Sequence, residues 1–153
     1  MHRILLVEDD EPTRSALRWL LEAEGYHVIC ATNGAQAVAQ LAVTAVDLVI
    51  SDWSMPELDG VQLSQTLRSR PAFRLLPFIL MSSNAAPEQH RSWDAYLRKP
   101  FVLSHLTRTV RSLLRARDSV VTAEDDRAVQ AAVRFEPAPM SGTVDAPLIR
   151  GSR

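Results

Sequence analysis

The feature of this sequence that most limits its fold is a regular alternation between short apolar segments and segments of helical periodicity. The apolar segments predict strands buried on both faces, and they are residues 4–7, 27–31, 46–51, 78–81 and, more weakly, 95–98. Apolar residues recur at helical spacing in the segments 13–24, 34–44, 60–67 and 103–115. The chain is therefore predicted to alternate β-strands with α-helices.

A chain of this kind folds into an α/β domain in which helices cover both faces of a parallel sheet. Five strands fit the flavodoxin-like, doubly wound five-stranded parallel sheet with the strand order 2-1-3-4-5. In such sheets, ligands bind in a crevice outside the carboxyl ends of the strands. Polar residues that end separate strands should then lie close together.

The composition restricts the partners and the location of the protein. The chain is 46% hydrophobic and 23% charged, and its net charge of -1 favours neither nucleic acid nor a membrane surface as a partner. The apolar start of the chain stops at Glu8, too early for a signal peptide or a membrane span. Cys30 is the single cysteine, which excludes an internal disulfide and fits a reducing compartment. These features predict a cytoplasmic protein.

The polar residues at the predicted strand ends form a chemically coherent set. Glu8-Asp9-Asp10 follows the first strand, Asp52 the third, Ser82-Ser83 the fourth and Lys99-Pro100 the fifth. Carboxylates that lie together repel one another, and a bound cation relieves that repulsion. A hard oxygen site with few protein ligands favours Mg2+, and Lys99, the only lysine of the chain, would add a positive charge beside it. Such a site could bring a phosphoryl group to an aspartate nucleophile.

Four ordered segments together resemble the receiver domains of two-component systems. They are residues 4–10 (ILLVEDD), 47–60 (DLVISDWSMPELDG), 77–83 (PFILMSS) and 96–101 (YLRKPF). The resemblance covers residues 3 to 117 approximately, and its specificity lies in the ordered set rather than in any one segment. It implies that Asp52 accepts the phosphoryl group. It also implies that Asp10 binds Mg2+ directly, Asp9 mostly through water, and that the Ser54 carbonyl is a further ligand beside Asp52.

The resemblance also implies the residues of a switch. Lys99 would pair with the phosphoryl group, and Ser82 would move towards it while Tyr96 turns inward. The Lys99–Pro100 bond is similar to one that the family keeps cis. Ser54 and Asn84 stand at the positions through which family members adjust the rate of dephosphorylation, and both are neutral here.

The connection between the fourth and fifth strands departs from the family pattern. Residues 84–94 leave room for one or two helical turns, near 87–93, where typical receiver domains have a full helix. The fourth helix is therefore predicted to be shortened or absent. Because that helix normally forms part of the output and dimer face, we expect partner choice, phosphorylation-driven dimerisation and the coupling between Ser82 and Tyr96 to be affected, and phosphorylation at Asp52 to be less so.

The C-terminal region is the second departure. We expect a receiver domain over residues 1–117 and a tail over 118–153, which is too short for a DNA-binding output domain of ordinary size. Residues 122–135 predict an amphipathic helix that could cover the face left by the short connection. The prolines and glycines beyond it predict an extended or disordered end.

Three functions remain open from the sequence. The first is a phosphoacceptor response regulator, not an enzyme, that receives its phosphoryl group from a histidine kinase or phosphotransfer protein and signals by protein contact. The second is a docking module in which phosphorylation is uncoupled from output. The third is an aspartyl-phosphate phosphatase, but Glu8-Asp9-Asp10 lacks the Asp-x-Asp pair that such enzymes place after the first strand.

Overall fold

The computed structural model describes residues 1–87 and 91–134. The strands are β1 (Arg3–Val7), β2 (His27–Ala31), β3 (Leu48–Asp52), β4 (Phe78–Ser82) and β5 (Ala95–Arg98). They form one parallel sheet with the order β2-β1-β3-β4-β5. The flavodoxin-like order predicted from the sequence is confirmed.

The described residues form four α-helices and one short 3-10 turn. The α-helices are α1 (Glu11–Ala23), α2 (Gly34–Val43), α3 (Gly60–Arg68) and α4 (Leu103–Arg134), and the turn is Pro71–Phe73. The side chains of Asp10, Asn33 and Asp59 cap the first three helices by accepting hydrogen bonds from backbone N–H groups of the first turn. Each of these helices therefore begins directly beside the carboxyl end of a strand.

Helices cover both faces of the sheet because successive side chains of a strand point to opposite sides. One face packs against α2 and α3, in a core that includes Leu5, Val49, Leu80, Leu41 and Leu63. The other face packs against α1 and α4, in a core that includes Ile4, Ile50, Ile79, Leu17 and Leu106. This burial, together with the parallel ladder, fixes the carboxyl ends of the strands relative to one another.

The last helix is longer than the sequence indicated. Two helices were predicted, over 103–115 and 122–135, whereas α4 runs without a break from Leu103 to Arg134. No glycine or proline occurs in this stretch, so residues 116–121 continue the helix between the two predicted segments. Residues 1–119 form one compact unit, and the part of α4 after Ser119 belongs to a second unit. The predicted extended end, beyond residue 135, lies outside the described residues.

The connection between β4 and β5 has no helix in its described parts, residues 83–87 and 91–94. The helical turn predicted near 87–93 falls partly on residues 88–90, which are outside the described residues. Trp93, at 4% exposure, packs into the core with α2 and α3. An aromatic side chain of the short connection thus fills core space between the sheet and these two helices.

Across the described ranges, no helix combines the length and the apolar character that are needed to cross a membrane.

Candidate functional site

The carboxyl ends of β1, β3 and β5 bring together an ammonium and two buried carboxylates. Nζ of Lys99 lies 3.2 Å from Oδ1 of Asp52 and 3.3 Å from Oε2 of Glu8. The Glu8 residue is 1% exposed and Asp52 is 8% exposed. Asp52 is the last residue of β3, while Glu8 and Lys99 each directly follow a strand. The sheet therefore places residues from distant parts of the sequence in one small crevice.

Three acids in this crevice could hold a metal ion. Glu8, Asp9 and Asp52 each offer a carboxylate oxygen, and these oxygens all lie within 4.8 Å of one another. Asp9 is exposed, so the cluster is open to solvent on that side. A set of three hard oxygen ligands with room for water is the arrangement that Mg2+ favours. The residues present fit a magnesium site.

The protonation of the site is governed by burial and by the charges of its members. Burial raises the pKa of Glu8, and the neighbouring Asp52 raises it further. Burial also raises the pKa of Asp52, although Lys99 acts in the opposite direction. Burial alone would lower the pKa of Lys99, yet the carboxylates of Asp52 and Glu8 outweigh it and raise that pKa. Lys99 is therefore held as a cation, and a second cation would relieve the remaining repulsion.

Backbone contacts hold the acidic turn after β1 in place. Oε1 of Glu8 accepts a hydrogen bond from the N–H of Asp10 at 3.3 Å, so both carboxylate oxygens of Glu8 have a donor. The guanidinium of Arg14 donates to the carbonyl of Glu8 at 2.8 Å. These contacts orient Glu8 towards Lys99 instead of towards solvent.

Ser82 and Tyr96 lie beside the crevice and share a partner. Oγ of Ser82 accepts a hydrogen bond from the N–H of Asn84 at 3.1 Å, and the hydroxyl of Tyr96 donates to the carbonyl of the same residue. Ser82 is buried, at 3% exposure, whereas Tyr96 is half-buried. The backbone of Asn84 therefore connects the two side chains that, by the resemblance, would form the switch.

Two further expectations concern the loops around the crevice. Ser54 is exposed, and with Trp53, Met55, Asp59 and Asn84 it lines a cleft of about 220 Å3. The Lys99–Pro100 peptide bond is cis, as the resemblance implied.

Residues 4–111 match the family model of the response regulator receiver domain. The chain belongs to this family.

Similar receiver domains occur in curated response regulators. The chain is 34% identical over 118 residues to the phosphate regulon transcriptional regulatory protein PhoB of Rhizobium meliloti, a match that covers 74% of this chain and 52% of that protein. It is 36% identical over 137 residues to the response regulator MprA of Mycobacterium leprae, a match that covers 87% of this chain and 58% of that protein. The chain thus spans little more than half the length of these relatives.

Solved receiver domains share the fold. The signal receiver domain of a histidine kinase from Syntrophus aciditrophicus is 34% identical, with a TM-score of 0.71 over 76% of this chain and 92% of that one. The receiver domain of the sensor histidine kinase PA1611 from Pseudomonas aeruginosa is 28% identical, with a TM-score of 0.67 over 74% of this chain and 97% of that one. The latter structure has a magnesium ion coordinated in its active site cleft.

Asp10, which the sequence analysis expected to bind Mg2+ directly, is engaged by the first turn of α1. Asp10 caps α1, and its carboxylate accepts hydrogen bonds from the N–H of Thr13 at 3.1 Å and from the Thr13 hydroxyl. These bonds lower the pKa of Asp10. Among the described residues, the acids that could hold a metal ion include Glu8 in the place where the sequence analysis expected Asp10.

A sequence signal for this difference was present. Pro12 stands in the first turn of α1, and proline is favoured there because it has no N–H to leave unpaired. A proline so near the helix start places the N-cap among the acids just before it, and the structure shows that Asp10 takes this role. The sequence does not show which of three consecutive acids faces the crevice, so Glu8 was not among the predicted ligands.

Proposed function

We propose that this receiver domain accepts a phosphoryl group on Asp52, in the presence of Mg2+, from a histidine kinase or phosphotransfer protein. It would act in the cytoplasm and signal by contact with another protein. The observation that carries the proposal is the Lys99 ammonium 3.2 Å from Oδ1 of the buried Asp52, beside two further acids that fit a magnesium site. The net charge of the whole chain, -1, supports the prediction that the chain does not bind nucleic acid.

The side chains suit this chemistry in different ways. A carboxylate oxygen of Asp52 would attack phosphorus while the bond between phosphorus and the donor breaks, and the donor leaves with its electron pair. Lys99 offsets the negative charge that the phosphoryl oxygens bring next to Asp52. Ser82 would donate a hydrogen bond from its hydroxyl to one of those oxygens.

Mg2+ would be held by Glu8, Asp9, Asp52 and the carbonyl of Ser54. When bound, it would neutralise charge on the acids and on the phosphoryl oxygens. Glu8 replaces Asp10 in this set because Asp10 is occupied by the cap of α1. The three acids repel one another in the metal-free site, and a bound divalent cation would reduce that repulsion.

The test is intact-mass analysis after incubation with acetyl phosphate and Mg2+. We expect one added phosphoryl group in the wild type and none in Asp52→Asn or after chelation of the metal. Asp126→Asn is a matched control, because it changes an exposed aspartate of α4 outside the compact unit that contains the crevice. A wild-type protein that stays unmodified, or an Asp52→Asn variant that is modified, would refute the proposal.

The short connection favours one alternative, a docking module whose surface does not respond to phosphorylation. The described residues between β4 and β5 contain no helix that could move with Ser82. Amide spectra recorded with and without beryllofluoride and Mg2+ distinguish the two functions. Changes confined to the crevice would favour docking, whereas changes that reach residues 91–96 would favour a switch.

A further inference from the structure

One face of α3 carries three residues that connect the crevice to the short connection. Gly60, Ser64 and Arg68 are four residues apart, so they lie one above another on the helix. Gly60 and Ser64 are buried, and Arg68 has a side-chain exposure of 22%. A polar face of this kind is unusual on the buried side of a helix and requires partners.

The first of these residues touches the proposed phosphoacceptor. A side-chain carbon at Gly60 would collide with the carbonyl oxygen of Asp52, so the helix approaches β3 at a distance that only glycine allows. The N–H of Gly60 donates to the carbonyl of Trp53 at 2.9 Å. The start of α3 is therefore joined directly to the end of β3.

The second residue reaches the connection before β5. The hydroxyl of Ser64 is bonded to the carbonyl of Val61 at 2.8 Å and to the hydroxyl of Ser92. Ser64 is completely buried. This contact ties the middle of α3 to residues 91–94.

The third residue, Arg68, binds five oxygen atoms. Its guanidinium donates to the carbonyl of Ser92 at 2.9 Å and to the carboxylate of Asp94 at 2.8 Å. The remaining bonds go to three carbonyls after the helix, those of Phe73, Arg74 and Leu76. Only the planar fork of an arginine can satisfy acceptors arranged in this way.

Asp94 connects Arg68 to strand β4 of the sheet. The carboxylate oxygen that binds Arg68 also accepts from the N–H of Phe78 at 2.8 Å, and the N–H of Asp94 donates to the carbonyl of Phe78 at 2.9 Å. Trp93 lies between Ser92 and Asp94, and its ring is 6.2 Å from that of Tyr96. Contacts therefore run without a gap from Asp52 along α3 to the neighbourhood of Tyr96.

We propose that Ser64 and Arg68 are positioning residues that couple the Asp52 site to residues 91–96. This inference rests on the proposed function and adds a route for its output. In this chain α3 fixes residues 91–94, where the family pattern would have a helix of its own. A phosphoryl group on Asp52 shifts the end of β3, and the shift reaches Tyr96 through α3.

Coupling of this kind is reciprocal, so it can be measured from either end. When the contacts of Arg68 or Ser64 are loosened, fewer molecules hold α3 against β3 in the geometry that receives a phosphoryl group. The apparent affinity for a phosphoryl mimic falls in proportion to the fraction of molecules that hold this geometry. The same loosening leaves residues 91–96 unresponsive when the mimic binds.

The experiment uses the full chain with beryllofluoride and Mg2+ as the probe. We compare the wild type with Arg68→Lys and Ser64→Ala, and with Arg70→Lys as a control at an exposed arginine. We expect the two α3 variants to bind beryllofluoride at least about fivefold more weakly than the wild type, and the control to bind it with unchanged affinity. Hydrogen exchange at residues 91–96 should slow on beryllofluoride binding in the wild type and remain unchanged in Arg68→Lys.

Two results would overturn the inference while the proposed function stands. One is faster exchange at 91–96 in both α3 variants with wild-type beryllofluoride affinity. The other is a wild-type protein that binds beryllofluoride while its hydrogen exchange at residues 91–96 stays unchanged. If Arg68→Lys does not fold, Ser64→Ala carries the same comparison. A wild type that neither binds beryllofluoride nor takes up phosphate would refute the proposed function, and this inference with it.

Discussion

Lys99 and Glu8 form an ion pair of 3.3 Å across the carboxyl edge of the sheet, although 91 residues separate them in the sequence. The pair matters because the side chain of Glu8 is 2% exposed. A buried carboxylate needs a partner, and Lys99 serves both Glu8 and Asp52. The predictions that follow concern this shared ammonium and the acids around it.

Glu8 and Asp10 are distinguished by their effect on Mg2+ binding. Glu8→Gln removes a carboxylate from the cluster, and we expect the Kd for Mg2+ to rise about tenfold, or about 1.4 kcal/mol. Asp10→Asn should leave the Kd unchanged, because Asn is as good a helix cap as Asp. Isothermal titration with Mg2+ measures both. The opposite order of effects would return Asp10 to the metal site.

Replacement of Lys99 should separate metal binding from phosphorylation. Lys99→Met removes a cation that repels Mg2+, so we expect a Kd for Mg2+ that is lower by about threefold or more. Phosphorylation by acetyl phosphate should become slower by at least tenfold, since Lys99 no longer offsets the phosphoryl charge. Arg98→Met, at the exposed neighbouring position, is the control. A Lys99→Met variant that binds Mg2+ more weakly than the wild type, or is phosphorylated at the wild-type rate, contradicts this account.

The metal-free protein should lose stability as the pH rises towards neutrality. Folding raises the pKa of Glu8 above 4.5 and that of Asp52 above 3.8, chiefly through burial. The folded state therefore binds protons more tightly than the unfolded state, and this contribution is lost as the pH rises through the raised values. Asp52→Asn removes one of these groups. At about pH 7.5 we expect its Tm to exceed that of the wild type by a few degrees, or about 1 kcal/mol.

Thermal unfolding without metal at about pH 5 and pH 7.5 tests this point. The advantage of Asp52→Asn should be smaller at the lower pH, where the carboxyl group of the wild type is protonated more often. Added Mg2+ should raise the wild-type Tm more at the higher pH. An Asp52→Asn variant that is less stable than the wild type at both pH values would show that the ionised carboxylate of Asp52 does not destabilise the folded protein.

Two glycines should respond differently to alanine. Gly25 has a φ of 93° and no atom within 4 Å of an added Cβ, so Gly25→Ala should cost about 1–2 kcal/mol through its backbone alone. Gly60→Ala should cost about 2 kcal/mol or more, because the methyl group meets the Asp52 carbonyl and the side chain of Leu80. Urea unfolding measures both costs.

Phosphorylation adds a second distinction between these variants. Gly25→Ala should keep the wild-type rate with acetyl phosphate, because Gly25 lies in the turn after α1, next to β2. Gly60→Ala should lower that rate, because it displaces the end of β3. Equal rates in the two variants would show that the position of α3 does not influence Asp52.

The fold was predictable because its signals are local. The apolar strands 4–7 and 78–81 are too short and too continuous for amphipathic helices, and their alternation with helices indicates a parallel sheet. Helix ends were less predictable. The break expected after Arg115 does not exist, because residues 116–121 contain no glycine or proline that would interrupt α4.

The candidate site was predictable in its chemistry and less so in its members. The rule that polar residues gather at the carboxyl edge of a parallel sheet was sufficient to single out Asp52, Ser82 and Lys99. It did not separate the three consecutive acids after β1, since one residue of shift changes which carboxylate faces the crevice. In the structure Asp10 caps α1, and Glu8 and Asp9 are the acids that lie close to Asp52.

The sequence by itself determined the alternation of elements, the parallel sheet and the edge at which the reactive residues meet, because these follow from periodicity and strand polarity. Only the tertiary structure decided that Glu8 faces Lys99, and that Arg68 holds residues 91–94 in place of a helix. Both contacts join residues far apart in the chain. Their formation depends on side-chain length and direction at fixed distances, which a pattern of apolar and polar residues does not encode.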